Sequence, residues 1–423
     1  MKVQVKIPGK LFLAGEYAVV EAGYPAVIAA VGQYLTVTIE TSDQGSLHSS
    51  QKADLYLTWE RKEGAVRIQG SHPYALIESA MQVTEAYLTA KGYACHGTYS
   101  LSVQSDLDDQ ASGAKYGLGS SGAVTVATVK ALLTYYGHQA DALLTYKLAA
   151  LTQSKLGMTG SFGDLAASSF GGLIAYHSLD RSWLLGKMAE LSLLDVVESD
   201  WQSLSISPIQ LPQGLDLLVG WTGSAASTDS LVSQMESQKS QTEKEQIHSQ
   251  FLADSKTCVE QLIVACQTND SVSARQALSA NRKLLQDFAR GMGLVIETPQ
   301  LSQLCDLAQT YGAVAKSSGA GGGDCGICLV DSKEQKAAIE TAWQEAGIFP
   351  LTLNIASLVI ETPQLSQLCD LAQTYGAVAK SSGAGGGDCG ICLVDSKEQK
   401  AAIETAWQEA GIFPLTLNIA SRE

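Results

Sequence analysis

Tyr116-Gly117-Leu118-Gly119-Ser120-Ser121-Gly122-Ala123, continued by Val124-Thr125-Val126-Ala127-Thr128-Val129-Lys130-Ala131-Leu132-Leu133, is the stretch on which the reading of this chain turns. Three glycines with two hydroxyls between them lead into an unbroken helix-forming run. Such a run describes a loop whose backbone N–H groups converge at a helix N-terminus. An anion placed there meets amide donors, the positive end of the helix dipole and the hydroxyls of Ser120 and Ser121, with no Cβ at the glycines to hold it off. Lys115, just upstream, adds a mobile positive charge. The same residues also suit an ordinary glycine-rich turn capped by serine, so the surrounding chain has to decide between the two.

A chain of 423 residues with 45% apolar content can bury two cores or more. The apolar N-terminal run is interrupted by Glu16 and Glu21, and no stretch reaches the length of a membrane span. Met1 to Gly15 contains Pro8-Gly9 and no small-residue cleavage site, so it reads as a strand and not as a signal peptide. A net charge of −15 disfavours nucleic acid and acidic membranes as partners and leaves anion binding to local donors. Nine cysteines without a secretory signal point to reduced thiols and a cytoplasmic protein.

Residues Leu294 to Ser357 recur without a change as Leu358 to Ser421. Natural solenoid repeats diverge and come in several copies, so an identical pair marks a single recent or assembled duplication. Both copies fit the same core, and the first has its natural upstream connection. Docking of the second would force the first to bulge out as an insertion, a loop-closure cost of roughly 4 kcal/mol. The first copy is therefore expected to dock and the second to be redundant and loosely held, which divides the chain into 1–185, 186–357 and 358–423.

In chain order, Val3 to Ile7 reads as a strand ending at Pro8-Gly9, and Lys10 follows it as either an amine held in place or a surface lysine at a strand edge. Pro73 to Lys91 is helical, Thr98 to Val103 a strand, and Asp106, Asp108 and Asp109 form a polar loop. A helix from Asp141 to Leu156 precedes the turn Gly160-Ser161-Phe162-Gly163, from which Asp164 enters an apolar helix. Its carboxylate is either a helix-terminal charge or a base poised against a bound group. Leu215 to Trp221 is a buried strand, and Ser227-Thr228-Asp229 caps a helix. Helices at Glu243 to Ala265, Val272 to Gly291 and Pro299 to Tyr311 lead to the strand, glycine loop and strand of Ala313 to Val330. A helix from Lys333 to Ala346 and a strand from Leu351 to Ile355 close the pattern.

Pro8-Gly9-Lys10 with Gly15-Glu16-Tyr17-Ala18-Val19, the Gly117 to Ala123 loop, and Lys316-Ser317-Ser318-Gly319-Ala320-Gly321-Gly322-Gly323-Asp324-Cys325-Gly326 stand in an informative order. Together they resemble the galactokinase, homoserine kinase, mevalonate kinase and phosphomevalonate kinase (GHMP) superfamily over essentially all of residues 1 to 357. Tyr17, where mevalonate kinases usually carry histidine, makes the chain similar to the branch that phosphorylates phosphomevalonate. The resemblance implies an α+β fold of two domains, an N-terminal one like ribosomal protein S5 domain 2 and a ferredoxin-like C-terminal one. It also implies ATP-dependent conversion of (R)-5-phosphomevalonate to (R)-5-diphosphomevalonate in the mevalonate route to isoprenoids. Under it, Gly117, Leu118, Gly119, Ser120, Ser121 and Gly122 would wrap the ATP phosphates with Lys115 assisting, and Lys10 and Asp164 fall at the catalytic pair. Tyr17, Ser161, Ser227, Ser318, Gly319 and Ala320, with Lys10, would face the substrate.

The acceptor is then already a phosphate, largely deprotonated near neutral pH because its second pKa is about 6. Bringing two polyanions together is the harder task, which ranks Lys10 and the glycine loop above Asp164. Relatives often carry an acidic residue ahead of the Asp164 turn, where this chain reads Thr152-Gln153-Ser154-Lys155, so a Mg2+ ion would rest on ATP oxygens, Ser121 and Asp164. Cys325-Gly326-Ile327-Cys328 and its copy Cys389 to Cys392 spell Cys-x-x-Cys twice, but residues three apart on a strand point to opposite faces, which argues against a zinc or thiol centre. Phosphorylation of mevalonate or another small molecule is the alternative within the class. A duplicated chain that binds nucleotide with little turnover is the alternative outside it. The expected state is monomer or homodimer.

Overall fold

Strand β1 (Lys2–Ala14) and strand β2 (Pro25–Thr41) run antiparallel along almost their whole length and form the spine of the larger sheet. The sheet belongs to a computed structural model that describes residues 1–52, 55–109, 112–139, 141–223, 240–356, 363–381 and 390–415. β1 does not end at Pro8-Gly9 as the sequence suggested. It passes through with a register shift there, since a Cβ on Gly9 would lie 3.0 Å from the Leu118 carbonyl oxygen and glycine lets the strand press against the loop. The chain divides into two compact units, Met1–Ala356 and Ser357–Glu423.

In the first unit, β3 (Gly45–Ser49), β4 (Tyr56–Lys62), β5 (Ala65–Ile68), β6 (Tyr99–Ser105), β7 (Leu173–His177) and β8 (Ser205–Ile209) complete the larger sheet in the order β5-β4-β3-β6-β2-β7-β8, with β1 beside β2. All pairs are antiparallel except β3 with β6. β6 and β7 occupy the two ends of one edge of β2 and leave the other edge to β1. Helices α1 (Ala75–Ala90), α2 (Ser120–Tyr135), α3 (Ala142–Lys155) and α4 (Gly163–Phe170) pack together, with α2 and α4 against β1 and β2. α2 is buried nearly all round, with Val126, Val129, Leu132 and Leu133 fully covered, the mark of a helix set inside a layer and not on its surface. Asp141 caps α3 by accepting from the Leu144 N–H at 2.7 Å. Two short helices, α5 (Arg181–Glu190) and α6 (Leu193–Glu198), lead on to β8.

The smaller sheet is antiparallel in the order β10-β11-β9-β12, from β9 (Asp216–Trp221), β10 (Val314–Ser317), β11 (Cys325–Val330) and β12 (Phe349–Leu351). The long pair α7 (Gln241–Gln267) and α8 (Ser271–Met292) is well capped: Ser240 and Glu243 form a capping box, and Asp270 accepts from Val272 and Ser273. α9 (Pro299–Thr310) and α10 (Lys333–Glu345) cover the β11 face that carries Cys328 and Val330, through Leu304, Ala308, Ile339 and Trp343. The last strand lies at Phe349–Leu351, earlier than the pattern of Leu351 to Ile355 implied. Pro350 and Leu351 pair with Gly220 and Val219, while Ile355 makes a single bridge to Val31 of the larger sheet. There Gly32 donates to Asn354 at 2.9 Å, Ala356 to Ala30 at 2.9 Å and Gly172 to Ala356 at 2.6 Å, so the end of the first copy is hydrogen-bonded into the larger sheet.

The second unit repeats the local structure of the first copy: α11 (Pro363–Thr374), β13 (Val378–Ser381), β14 (Gly390–Leu393) and α12 (Lys397–Glu409). Its core of Leu368, Ala372, Ala377, Ile403 and Trp407 duplicates that of Leu304, Ala308, Ala313, Ile339 and Trp343. Trp407 donates to the Leu368 carbonyl at 2.9 Å, as Trp343 does to Leu304 at 2.9 Å. Among the described residues no helix is long and apolar enough to cross a membrane.

Candidate active site

α2 begins at Ser120, so Ser121 and Gly122 form its first turn and the loop proper is Gly117 to Gly119. Gly119 is the residue before the helix, in the left-handed conformation at φ 80, and Gly117 has φ 77. The first hydrogen bond of the helix runs from Ala123 to the Gly119 carbonyl at 3.0 Å, which leaves the amides of Ser120, Ser121 and Gly122 at the open, positive end of the dipole.

The glycines are also needed for space, because three ionisable side chains press on them. A Cβ on Gly119 would lie 2.8 Å from Lys10 Cε, one on Gly122 would lie 2.4 Å from Asp164 Oδ2, and one on Gly117 would lie 2.5 Å from Asp324 Oδ2. Lys10 comes from β1, where its own N–H donates to the Leu118 carbonyl at 2.8 Å and its ammonium to the Gly117 carbonyl at 3.2 Å. The amine is therefore held against the loop, which settles the choice the sequence left open. Leu118 itself is buried and anchors the loop from beneath. Lys115 is exposed, and its backbone forms an isolated antiparallel bridge with that of Asp108 across the polar loop.

Asp164 sits in the first turn of α4, preceded by Phe162 at φ 59. Burial raises its carboxyl above the usual carboxylate range, and the Lys10 charge and the backbone N–H groups of Leu165 and Asp164 pull it back in part. Ser161, two residues before the helix, bonds the Gly163 N–H through its hydroxyl at 3.3 Å, and its carbonyl accepts from Tyr176 at 2.6 Å. Arg181 holds the same turn by donating to the carbonyls of Thr159 at 2.8 Å and Met158 at 3.2 Å.

The second glycine loop, between β10 and β11, is fastened to the β1 corner by a buried ion pair that sequence reasoning missed. Lys316 Nζ lies 2.5 Å from Glu16 Oε1, with both side chains almost wholly buried. The same ammonium donates to the Ser317 carbonyl at 2.7 Å, and Gly319 donates its N–H to Glu16 Oε1 at 3.3 Å. Ser318 gives its hydroxyl to the Phe12 carbonyl at 2.9 Å, and Tyr17, at φ 64, gives its own to the Ala320 carbonyl at 2.6 Å. Burial and the neighbouring Glu16 push the Tyr17 phenol up to about 12, so it remains a donor at every physiological pH. At the other end of the loop, Thr222 donates its N–H to the Asp324 carbonyl at 3.1 Å and its hydroxyl to Gly323. Asp324 is thus delivered to Gly117 from the end of a loop more than two hundred residues further along the chain. The only signal for it in sequence was its place after three glycines. Ser227 lies outside the described residues.

Cys325 faces the large core and Cys328 the smaller one, on opposite sides of β11, and burial raises both thiols. Among the described residues no disulfide forms and no cluster of three or more His, Cys, Asp or Glu could hold a metal. The oxygen donors beside the loop, the Asp164 carboxyl and the Ser121 hydroxyl at the helix N-terminus, do suit a hard cation that takes its remaining ligands from phosphates and water.

The description "GHMP kinases N terminal domain" matches residues 75–172, and "GHMP kinases C terminal" matches 262–348 and again 350–412. The phosphomevalonate kinase of Streptomyces sp. (strain CL190) is 36% identical over 363 residues, covering 82% of this chain and 96% of its own. Among solved structures, a Lin0012 protein from Listeria innocua superposes with a TM-score of 0.78 at 36% identity, over 84% of this chain and 98% of the other. The phosphomevalonate kinase of Streptococcus pneumoniae, in complex with phosphomevalonate and AMPPNP, gives 0.71 at 34% identity, over 83% and 99%.

Proposed function

Because this chain belongs to the GHMP kinase family, we propose that it transfers the γ-phosphoryl group of ATP to the phosphate of (R)-5-phosphomevalonate, giving ADP and (R)-5-diphosphomevalonate for isoprenoid synthesis. The observation that carries this reading is the packing of Lys10, Asp164 and Asp324 against Gly119, Gly122 and Gly117 at one helix N-terminus. A relative 34% identical, bound to phosphomevalonate and AMPPNP, supports the substrate pair.

An oxygen of the acceptor phosphate attacks the γ-phosphorus, the bond to the β–γ bridging oxygen breaks, and the electron pair leaves on ADP. A phosphoanhydride replaces a phosphoanhydride, and no proton needs to move when the acceptor is dianionic. The barrier is then the mutual repulsion of two polyanions, which positive charge and amide donors relieve. The amides of Ser120, Ser121 and Gly122 take the nucleotide phosphates. Lys10, fixed on the Gly117 carbonyl, supplies the charge between donor and acceptor. Asp164 faces Lys10 and keeps it oriented, and Asp324 fixes the loop from the opposite side. Mg2+, when bound, would neutralise phosphate charge, with Ser121 and Asp164 as its protein ligands. Ser161 and the Ser318-Gly319-Ala320 segment border the acceptor.

In this reading residues 1–185 carry the nucleotide site, 186–357 complete it, and 358–423 are a redundant copy outside the active site. We assign the protein to the cytoplasm, with a small-molecule substrate and no nucleic-acid or membrane partner. The test is coupled ADP release with phosphomevalonate, mevalonate and homoserine side by side. Preference for phosphomevalonate is expected, and preference for mevalonate would move the substrate assignment.

A further inference from the structure

The duplication contains its own control, because the same 64 residues occur once with partners on both faces and once without. In the first copy, β10 and β11 are covered on one face by α9 and α10 and on the other by the large core. β11 also pairs along its free edge with β9, through Cys325 to Val330. In the second copy the helix-side core of Leu368, Ala372, Ala377, Ile403 and Trp407 is kept, but among the described residues β14 pairs only with β13, in a two-stranded sheet. Cover is lost most on one side, although on the helix side Val394 is 37% exposed against 1% for Val330. Ile327 and Leu329 are 0% exposed, whereas their counterparts Ile391 and Leu393 are 49% and 75% exposed, and Val378, opposite Leu393 in the register, is 73% exposed. Trp343 and Trp407, on the other side, are both buried.

What covers this face follows from counting slots. Each chain has one β9 and two segments able to pair with it. Exchange of segments within a chain, or between chains, therefore always leaves one bared face per chain and buries no additional apolar surface. Contact between two such faces removes both from water at once. The open edge of β14 adds unpaired backbone donors and acceptors to the same surface. We propose that the second copy is a homodimerisation module: Val378, Ile391 and Leu393 of one chain pack on the same residues of another, in an isologous contact about a two-fold axis. The active site, completed by the first copy, takes no part in the contact.

Sedimentation velocity and light scattering on the full chain test this, with kinase turnover measured in parallel. The parent chain should shift with concentration from 44.6 kDa to about twice that mass. Leu393→Glu and Ile391→Glu, both at exposed positions, should remain monomeric at every concentration with turnover within twofold of the parent. A parent chain that stays monomeric, or a dimer that survives both substitutions, overturns the proposal. So does a loss of turnover in Leu393→Glu, because it would put the second copy in the β9 slot. The mass readout does not depend on the substrate assignment, so the two can fail separately.

Discussion

Gly122→Ala isolates the position of one carboxylate oxygen. Gly122 is helical, so alanine brings no backbone strain and contributes about 0.8–1 kcal/mol of helix propensity. The new Cβ, however, lands 2.4 Å from Asp164 Oδ2 and 2.9 Å from its Cγ, where ordinary contact begins at 3.4 Å. The carboxylate has to retreat by about 1 Å. Its place in the first turn of α4 leaves side-chain rotation as the way to do so, and the native contact with the α2 terminus is lost. Misplacement on that scale costs on the order of 100-fold in rate. The variant should therefore unfold within about 1 kcal/mol of the parent by urea denaturation, yet show kcat about 100-fold lower by coupled ADP release. Gly137→Ala is the counterpart: at φ 75 with open space around it, it should lose about 1 kcal/mol of stability and keep kcat. A Gly122→Ala enzyme with kcat within twofold of the parent would refute the placing of Asp164 in the site.

The raised Asp164 carboxyl implies a trade of stability for activity. The folded protein holds that proton more tightly than the unfolded chain, so stability falls as pH rises from the unfolded value of about 3.9 through the raised folded one. Asp164→Asn should have a higher Tm than the parent at pH 7–8, an advantage that disappears below about pH 4, together with a lower kcat; a Tm difference independent of pH would contradict the assignment of burial as the cause. Glu16→Gln or Lys316→Met alone leaves one buried charge unpaired and should cost about 3–5 kcal/mol in denaturant unfolding, while the double variant should recover most of it. Single losses no larger than that of the double variant would show the pair to be uncoupled. Asp324→Asn should reduce kcat at least tenfold while Asp388→Asn, at the equivalent position of the second copy, leaves it unchanged; the reverse pattern would mean that the second copy completes the site.

Periodicity was enough for the elements whose faces differ. α8 alternates buried and exposed positions at helical spacing, Asp141 announces the helix it caps, and β9 to β11 read as buried strands. The glycine loops were legible because backbone and anion chemistry restrict them to a few residue types. β3 to β5 and β8 were not: in β3 to β5 the buried positions do alternate, but each strand offers the core at most two large apolar residues among Ser, His, Lys and Arg, too few to stand out as a face. β8 also joins the larger sheet from beyond residue 185, a pairing that depends on β7 and on nothing local. From pattern alone Lys10 read better as a surface lysine at a strand edge, until the register of β1 put it beside Leu118. Glu16 with Lys316, and Gly117 with Asp324, are contacts between residues hundreds of positions apart. A pairing of that kind is fixed by how the two sheets meet and leaves no trace in either segment alone.

The central claim is phosphoryl transfer onto an existing phosphate, and phosphorus-31 NMR of the full chain with ATP, Mg2+ and phosphomevalonate observes that bond directly. The account predicts that the phosphomonoester signal of the acceptor is replaced by a pair of mutually coupled diphosphate signals, one equivalent for each ADP formed, and that Lys10→Met slows this at least 100-fold. ATP consumed to inorganic phosphate with the phosphomonoester signal intact, or unchanged turnover in Lys10→Met, would contradict it.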